Sequence, residues 1–141
     1  MKYVFIILSG LFFFTPVLSD EVTIEMLNKL GKERMIFSEK IVNVNAGDTV
    51  FWKATDKSHN VEFIKNGTPE GVEKFKSKLS VDTKYKFEIP GIYAYWCTPH
   101  KSLGMIGFII VDNDKSNLDS INKIKFFGKS KKIAKMLIAQ F

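Results

Sequence analysis

The chain opens on an apolar run and then settles into short segments of alternating character. Lys2 is the only charge before Asp20, and Tyr3 to Phe14 is almost wholly apolar. From Val22 the period changes. Val22-Thr23-Ile24-Glu25-Met26 alternates apolar and polar residues, as a strand with one buried face does. Met35-Ile36-Phe37 and Ile41-Val42-Asn43-Val44 offer two more short apolar runs. Asn45-Ala46-Gly47-Asp48 is a turn cluster, and Thr49 to Trp52 follows as a β-branched and aromatic strand. Val61 to Phe63 is a shorter candidate. Lys65 to Lys78 is polar, carries Gly and Pro, and reads as a long connection with room for a helical turn. Thr83 to Ile89 alternates, Pro90-Gly91 turns the chain, Ile92 to Trp96 extends again, and Met105 to Val111 closes the series. Short strands with turn signals about every ten residues predict an all-β fold, a Greek-key β-sandwich.

The character shifts again after Asp112. Ser116-Asn117-Leu118-Asp119 has the spacing of a capping box, with Ser116 as cap, and predicts a short helix to about Phe126. Gly128 interrupts, and Ser130 to Gln140 carries Ile133, Met136, Leu137 and Phe141 at helical spacing. Two C-terminal α-helices, spanning about residues 116–141, are therefore expected to pack on the sandwich. The alternative is a basic amphipathic tail on a membrane, disfavoured because the apolar face is narrow.

Composition fits one globular domain: 141 residues, 45% of them hydrophobic. The opening run, with Lys2 before it and the break at Thr15-Pro16 followed by Val17-Leu18-Ser19 after it, has the layout of a secretory signal. It is too short to span a bilayer, which takes about 20 helical residues. Residues 1–19 are thus read as a removed signal peptide and 20–141 as the mature domain, exported to the periplasm with no stable membrane insertion. An exported chain normally pairs its cysteines, yet this one has a single cysteine, Cys97, which is therefore buried, reactive or bound to something. The net charge of +6 suits an acidic protein partner, and export argues against nucleic acid.

The chemistry concentrates in Tyr93-Ala94-Tyr95-Trp96-Cys97-Thr98-Pro99-His100-Lys101-Ser102-Leu103-Gly104-Met105. Strand alternation puts Tyr93, Tyr95 and Cys97 on the inward face and Trp96 on the outward one. Pro99 stops a helix and helps the loop turn back, so that Cys97, His100 and Met105 converge from one short segment. His59, from another loop, is placed to close the set. Thiolate and thioether are soft donors, imidazole is intermediate, and no carboxylate belongs. Two histidines and a cysteine with a weak axial methionine are what a blue-copper site requires, whereas methionine serves zinc poorly. Each residue alone reads as ordinary core or surface. The chain's only cysteine and only two histidines falling into one ligand set is what favours one copper ion. A nucleophilic Cys–His enzyme needs a third group to orient the histidine, and none is evident near His100. A copper storage or delivery protein is a further alternative, though such proteins favour exposed, methionine-rich or histidine-rich sites, and only 5 methionines occur.

At these residues the chain resembles the cupredoxin family of small blue-copper proteins over nearly the whole mature sequence. The likeness is carried by Gly47-Asp48-Thr49-Val50, by Thr55 to Glu62, by Lys74 to Lys78, by Cys97-Thr98-Pro99-His100 and by Gly104-Met105. The extension beginning at Asn117-Leu118 resembles the longer branch of that family and not the shorter plastocyanins and amicyanins. The resemblance implies a type 1 copper held by His59, Cys97, His100 and Met105, with the amide of Asn60 donating to the cysteine sulfur. It implies an electron carrier rather than an enzyme, a monomer, with the edge of His100 as the electron port. Met35, Pro99 and Leu103 are then an apolar rim around His100, and Lys57 and Lys101 the charges that steer an acidic redox partner. The partner it implies is a nitrite reductase of denitrification or a c-type cytochrome. Two departures stand out. Ser58 sits where that branch usually has glycine, and Lys101-Ser102-Leu103 replaces a typically aromatic and methionine-bearing loop. Trp96, bonded through the chain to Cys97 and expected to face outward, is a candidate second electron port.

Overall fold

The computed structural model describes residues 18–141, so the apolar opening run and nearly all of the expected export signal lie outside the described residues. Two four-stranded sheets face each other. One runs in the order β2 (Glu33–Phe37), β1 (Glu21–Leu30), β4 (Thr49–Lys53), β6 (Thr83–Lys86). The other runs β3 (Ile41–Val44), β8 (Ile106–Val111), β7 (Gly91–Trp96), β5 (Glu62–Phe63). β1 pairs parallel with β4 and β3 parallel with β8, and the remaining neighbours are antiparallel. This is the all-β sandwich that the alternating pattern predicts.

The period of two decides what lies between the sheets. Ile24 and Met26 of β1, Val50 and Trp52 of β4, and Tyr93 and Tyr95 of β7, with Cys97 just beyond it, all point into one core. Tyr95 meets Phe37 edge-on at 4.9 Å between ring centres and Trp52 at 5.4 Å. Such edge-to-face pairs add about 0.5–1.5 kcal/mol each beyond area burial. The cysteine therefore leaves its strand from a densely packed aromatic core.

β7 and β8 are buried on both faces, which explains why Ile106 to Val111 is an unbroken apolar run. Their second face, with Ile92, Ala94, Phe108 and Ile110, packs against Ile121 of α1 (Leu118–Asn122) and Ala134 and Leu137 of α2 (Ser130–Ile138). The two helices thus pack on the sandwich. No helix among the described residues is long and apolar enough to cross a membrane.

Local expectations differ from the structure in four places. The Ser116 capping box does not form. The α1 cap is Asn117, without a side-chain bond to the helix, because that side chain is spent on β7. Ile92 N–H donates to Asn117 Oδ1 at 2.9 Å and Asn117 Nδ2 donates to Ile92 O at 2.8 Å. α1 also stops at Asn122, short of Phe126. On α2, Met136 is 59% exposed, and Ala134 and Ile138 take the packed face with Ile133 and Leu137. The connection 65–78 holds no helix. It returns alongside β5, with Phe63 N–H on Phe75 O at 2.9 Å and Ser77 N–H on Val61 O at 2.8 Å, because Phe75 packs against Phe63 and Tyr85.

The Tyr93 hydroxyl donates to Ile89 O at 2.7 Å, and burial pushes its pKa from 10.0 up to about 12. A folded-state pKa above the unfolded value gives stability that is complete below pH 10.0 and lost as pH rises toward about 12. The denaturant midpoint should therefore fall across that window, and Tyr93→Phe should flatten that part of the slope.

Candidate metal centre

Two connections at one end of the sandwich bring the donors together. Cys97 ends β7, and Thr98–His100 forms a single 3₁₀ turn with Pro99 in its first residues. Pro99 thus starts a turn rather than stopping one, since the first N–H groups of a helix have no internal partner to lose. The turn carries His100 back toward Cys97, with His100 N–H on Cys97 O at 3.0 Å. Cys97 N–H then donates to Met105 O at 3.0 Å, closing the segment and setting Met105 beside the cysteine in the same core. His59 arrives from the β4–β5 connection, where Ser80 N–H on His59 O at 2.9 Å and Ser58 N–H on Ser80 Oγ at 2.8 Å hold the backbone. Ser58 has φ +70°, the left-handed conformation that glycine adopts without strain, which gives a physical reason for the glycine usual there.

The donor atoms converge closely. His59 Nδ1 and His100 Nδ1 lie 3.1 Å apart, and Cys97 Sγ is 3.7 Å from the first and 3.4 Å from the second. Metal–nitrogen and metal–sulfur bonds of about 2.0 and 2.3 Å at trigonal angles would put the nitrogens about 3.5 Å apart and sulfur about 3.7 Å from each. The cluster has the size of a ligand set. His59, Cys97 and Met105 are fully buried, while His100 is half-buried, so its ring alone of the four reaches solvent.

A residue that sequence reasoning passed over fixes the tautomer. Asn28 of β1 places Oδ1 2.9 Å from His59 Nε2. Only a protonated Nε2 can donate to that carbonyl, which leaves a lone pair on Nδ1 aimed into the cluster. Asn28 stands 31 positions before His59, and no spacing pattern links them. Burial, together with the neighbouring His100, lowers the His59 pKa, with Asp56 opposing, and burial lowers that of His100. Both imidazoles are therefore held neutral, as metal ligands must be. Burial pushes the Cys97 thiol up, against backbone N–H bonds from Asn60 and His100 that pull it down. A nucleophilic thiol needs the reverse shift.

Around the cluster a polar lock joins β5 to β7. Thr98 N–H donates to Asn60 Oδ1 at 2.8 Å, and Asn60 Nδ2 donates to Thr98 Oγ1 at 3.0 Å. Thr98 Oγ1 donates to Glu62 Oε2 at 2.6 Å, and Trp96 Nε1 donates to the same oxygen at 3.1 Å. Burial alone would raise the Glu62 carboxyl, but the bonds from Thr98 and Trp96 and the nearby Lys76 hold it below its ordinary value.

The remaining candidates are spread around this end. Met35 is half-buried against the core, Pro99 and Leu103 are exposed, and so is Lys57. Lys101 is half-buried instead, its ammonium 5.1 Å from the Trp96 ring centre and 5.8 Å from that of Phe127. Trp96 does leave the strand on the face opposite Cys97, but the C-terminal extension covers much of it. A groove of about 1010 Å³ runs beside Trp96 and Phe127, away from the donors.

A sequence description of the copper-binding proteins of the plastocyanin/azurin family matches residues 24–112. The chain belongs to this family, the blue-copper electron-transfer proteins, and its soft donor set fits one type 1 copper ion. Within the family its likeness is to the pseudoazurins. It is 39% identical over 117 residues to pseudoazurin of Paracoccus pantotrophus, spanning 83% of this chain and 81% of that one. It is 32% identical over 125 residues to that of Methylorubrum extorquens, spanning 89% and 84%. The crystal structure of pseudoazurin from Hyphomicrobium denitrificans superposes with a TM-score of 0.81 at 38% identity, covering 86% of this chain and 98% of that one.

Asn28→Ala should leave the fold intact and lower copper affinity about tenfold, because outer partners of ligating histidines carry that order of effect. Competition with a copper chelator measures it, and an unchanged affinity would remove Asn28 from the site.

Proposed function

We propose that this protein is an exported, periplasmic carrier of single electrons whose copper is held by His59, Cys97, His100 and Met105. The observation that carries this is the convergence of two neutral Nδ1 atoms on a buried thiol, with the fully buried Met105 beside them. Bound copper supplies a one-electron couple between Cu(I) and Cu(II). The chain does the rest. The two packed cores keep the ligands from rearranging when the charge changes. Asn28 holds the His59 ring, and the Asn60 amide stabilises sulfur charge. His100, reaching solvent, is the port through which an electron enters and leaves.

Around that port Met35, Pro99 and Leu103 form an apolar docking rim, and Lys57 steers an acidic partner, so association should weaken with salt. A nitrite reductase of denitrification or a c-type cytochrome fits that description, with this chain acting as a monomer. Export of residues 20–141 follows from the signal-like layout of the opening run. Asp20 N–H already donates to Asp48 Oδ1 at 2.9 Å, where a freed α-ammonium would gain a charged partner.

The visible spectrum of the Cu(II) protein is the direct test. An intense sulfur-to-copper band with reversible one-electron titration is expected. Cys97→Ala should abolish the band, and Met105→Leu should keep copper with an altered potential. A copper-loaded, folded protein without the band would overturn the assignment.

Trp96 is proposed as a second port. It is the covalent neighbour of Cys97, is half-buried rather than sealed, and forms part of the groove wall. Lys101, drawn over its ring, places a positive charge at this port. Trp96→Leu should slow electron exchange with at least one physiological partner, and equal rates with all of them would eliminate the route.

A further inference from the structure

The residues between His100 and Met105 are gripped from outside by the start of α2. Lys129 N–H donates to Ser102 O at 2.9 Å. Ser130, fully buried, donates its hydroxyl to Lys101 O at 2.5 Å. Gly104, at φ +106°, lies so close to Ile133 that an added Cβ would sit 2.5 Å from its Cδ1. Gly128 packs as tightly on the Ser102 carbonyl, where a Cβ would again fall at 2.5 Å. Phe127 and Trp96 flank the Lys101 ammonium. Each of these contacts falls on the stretch that separates the two ligands, 101–104.

We propose that Ser130 and Ile133 are positioning residues for the copper centre, and that the start of α2 clamps the ligand loop and so tunes the metal. The reason is the weakness of a thioether as a donor. A copper held in part by Met105 would leave the protein rather than the metal to set that contact, and the potential would follow. Met105 leaves directly from Gly104, and His100 leads directly into Lys101. A clamp on both neighbours fixes the span over which the thioether and the exposed imidazole are held. A buried hydroxyl on a loop carbonyl suits that task, because its loss leaves Lys101 O without that donor in a part-buried contact.

The clamp rests on the copper-site assignment, and the two can fail separately. The parent protein's sulfur-to-copper band tests the site, and the change of that band in variants tests the clamp. Ser130→Ala, Ile133→Ala and, as control, Lys131→Ala on the exposed side of α2 are compared as full mature chains loaded with copper. Visible spectrum, midpoint potential, copper affinity and thermal stability are read for each. Ser130→Ala and Ile133→Ala should alter the intensity ratio of the sulfur-to-copper bands and move the potential in a common direction. Their copper affinity should fall about tenfold. Lys131→Ala should match the parent. Spectra and potentials that superimpose on the parent's, with stability alone reduced, would reduce α2 to packing. Ile133 is half-buried, so Ile133→Ala decides the matter should Ser130→Ala fail to fold.

Discussion

Two imidazole nitrogens 3.1 Å apart, beside a buried thiol, crowd three metal-ligating donors into one small volume. Asn28 takes the one proton of His59 away from the cluster, and burial keeps both rings from gaining a second. The thiol is pushed up by the same burial. A cation at the centre would be held by all three, each donor turning its electrons to positive charge. Most of the architecture serves to keep these groups together although they would be better solvated apart.

The sandwich achieves this by burying β7 on both faces. Its inward face contributes Tyr93 and Tyr95 to the aromatic core between the sheets, and its outward face supports the C-terminal helices. A strand held so cannot shift to accommodate its last residue, so Cys97 is delivered to a fixed point. The lock from Asn60 through Thr98 to Glu62 then ties the histidine-bearing connection to the same strand end. Position is supplied by the cores, and orientation by side-chain hydrogen bonds.

Burial is unequal among the four donors, and that inequality is what makes the site useful. Three are sealed and one reaches solvent. A fully enclosed centre would exchange electrons slowly, and an open one would admit water and loosen the ligands. Copper delivery calls for accessible ligands, and thiol chemistry for a thiol with a lowered pKa. A buried, raised thiol and a single half-exposed imidazole favour neither of them.

Strand positions, the turn at Asn45 to Asp48 and the set of soft donors follow from the chain itself, because alternation and ligand chemistry are properties of neighbouring residues and of side-chain type. Even the double burial of β8 is written in its unbroken apolar run. Which partner each polar side chain chose is not. Asn117 could cap a helix or bind β7, Lys101 could point to solvent or lie over Trp96, and Asn28 has no local reason to meet His59. Whether Met136 faces the sheet depends on how α2 is turned. In every such case several partners compete within a kcal/mol or so, as hydrogen bonds of similar worth do. Only the packing of segments distant in the chain, which sets who is within reach, decides among them.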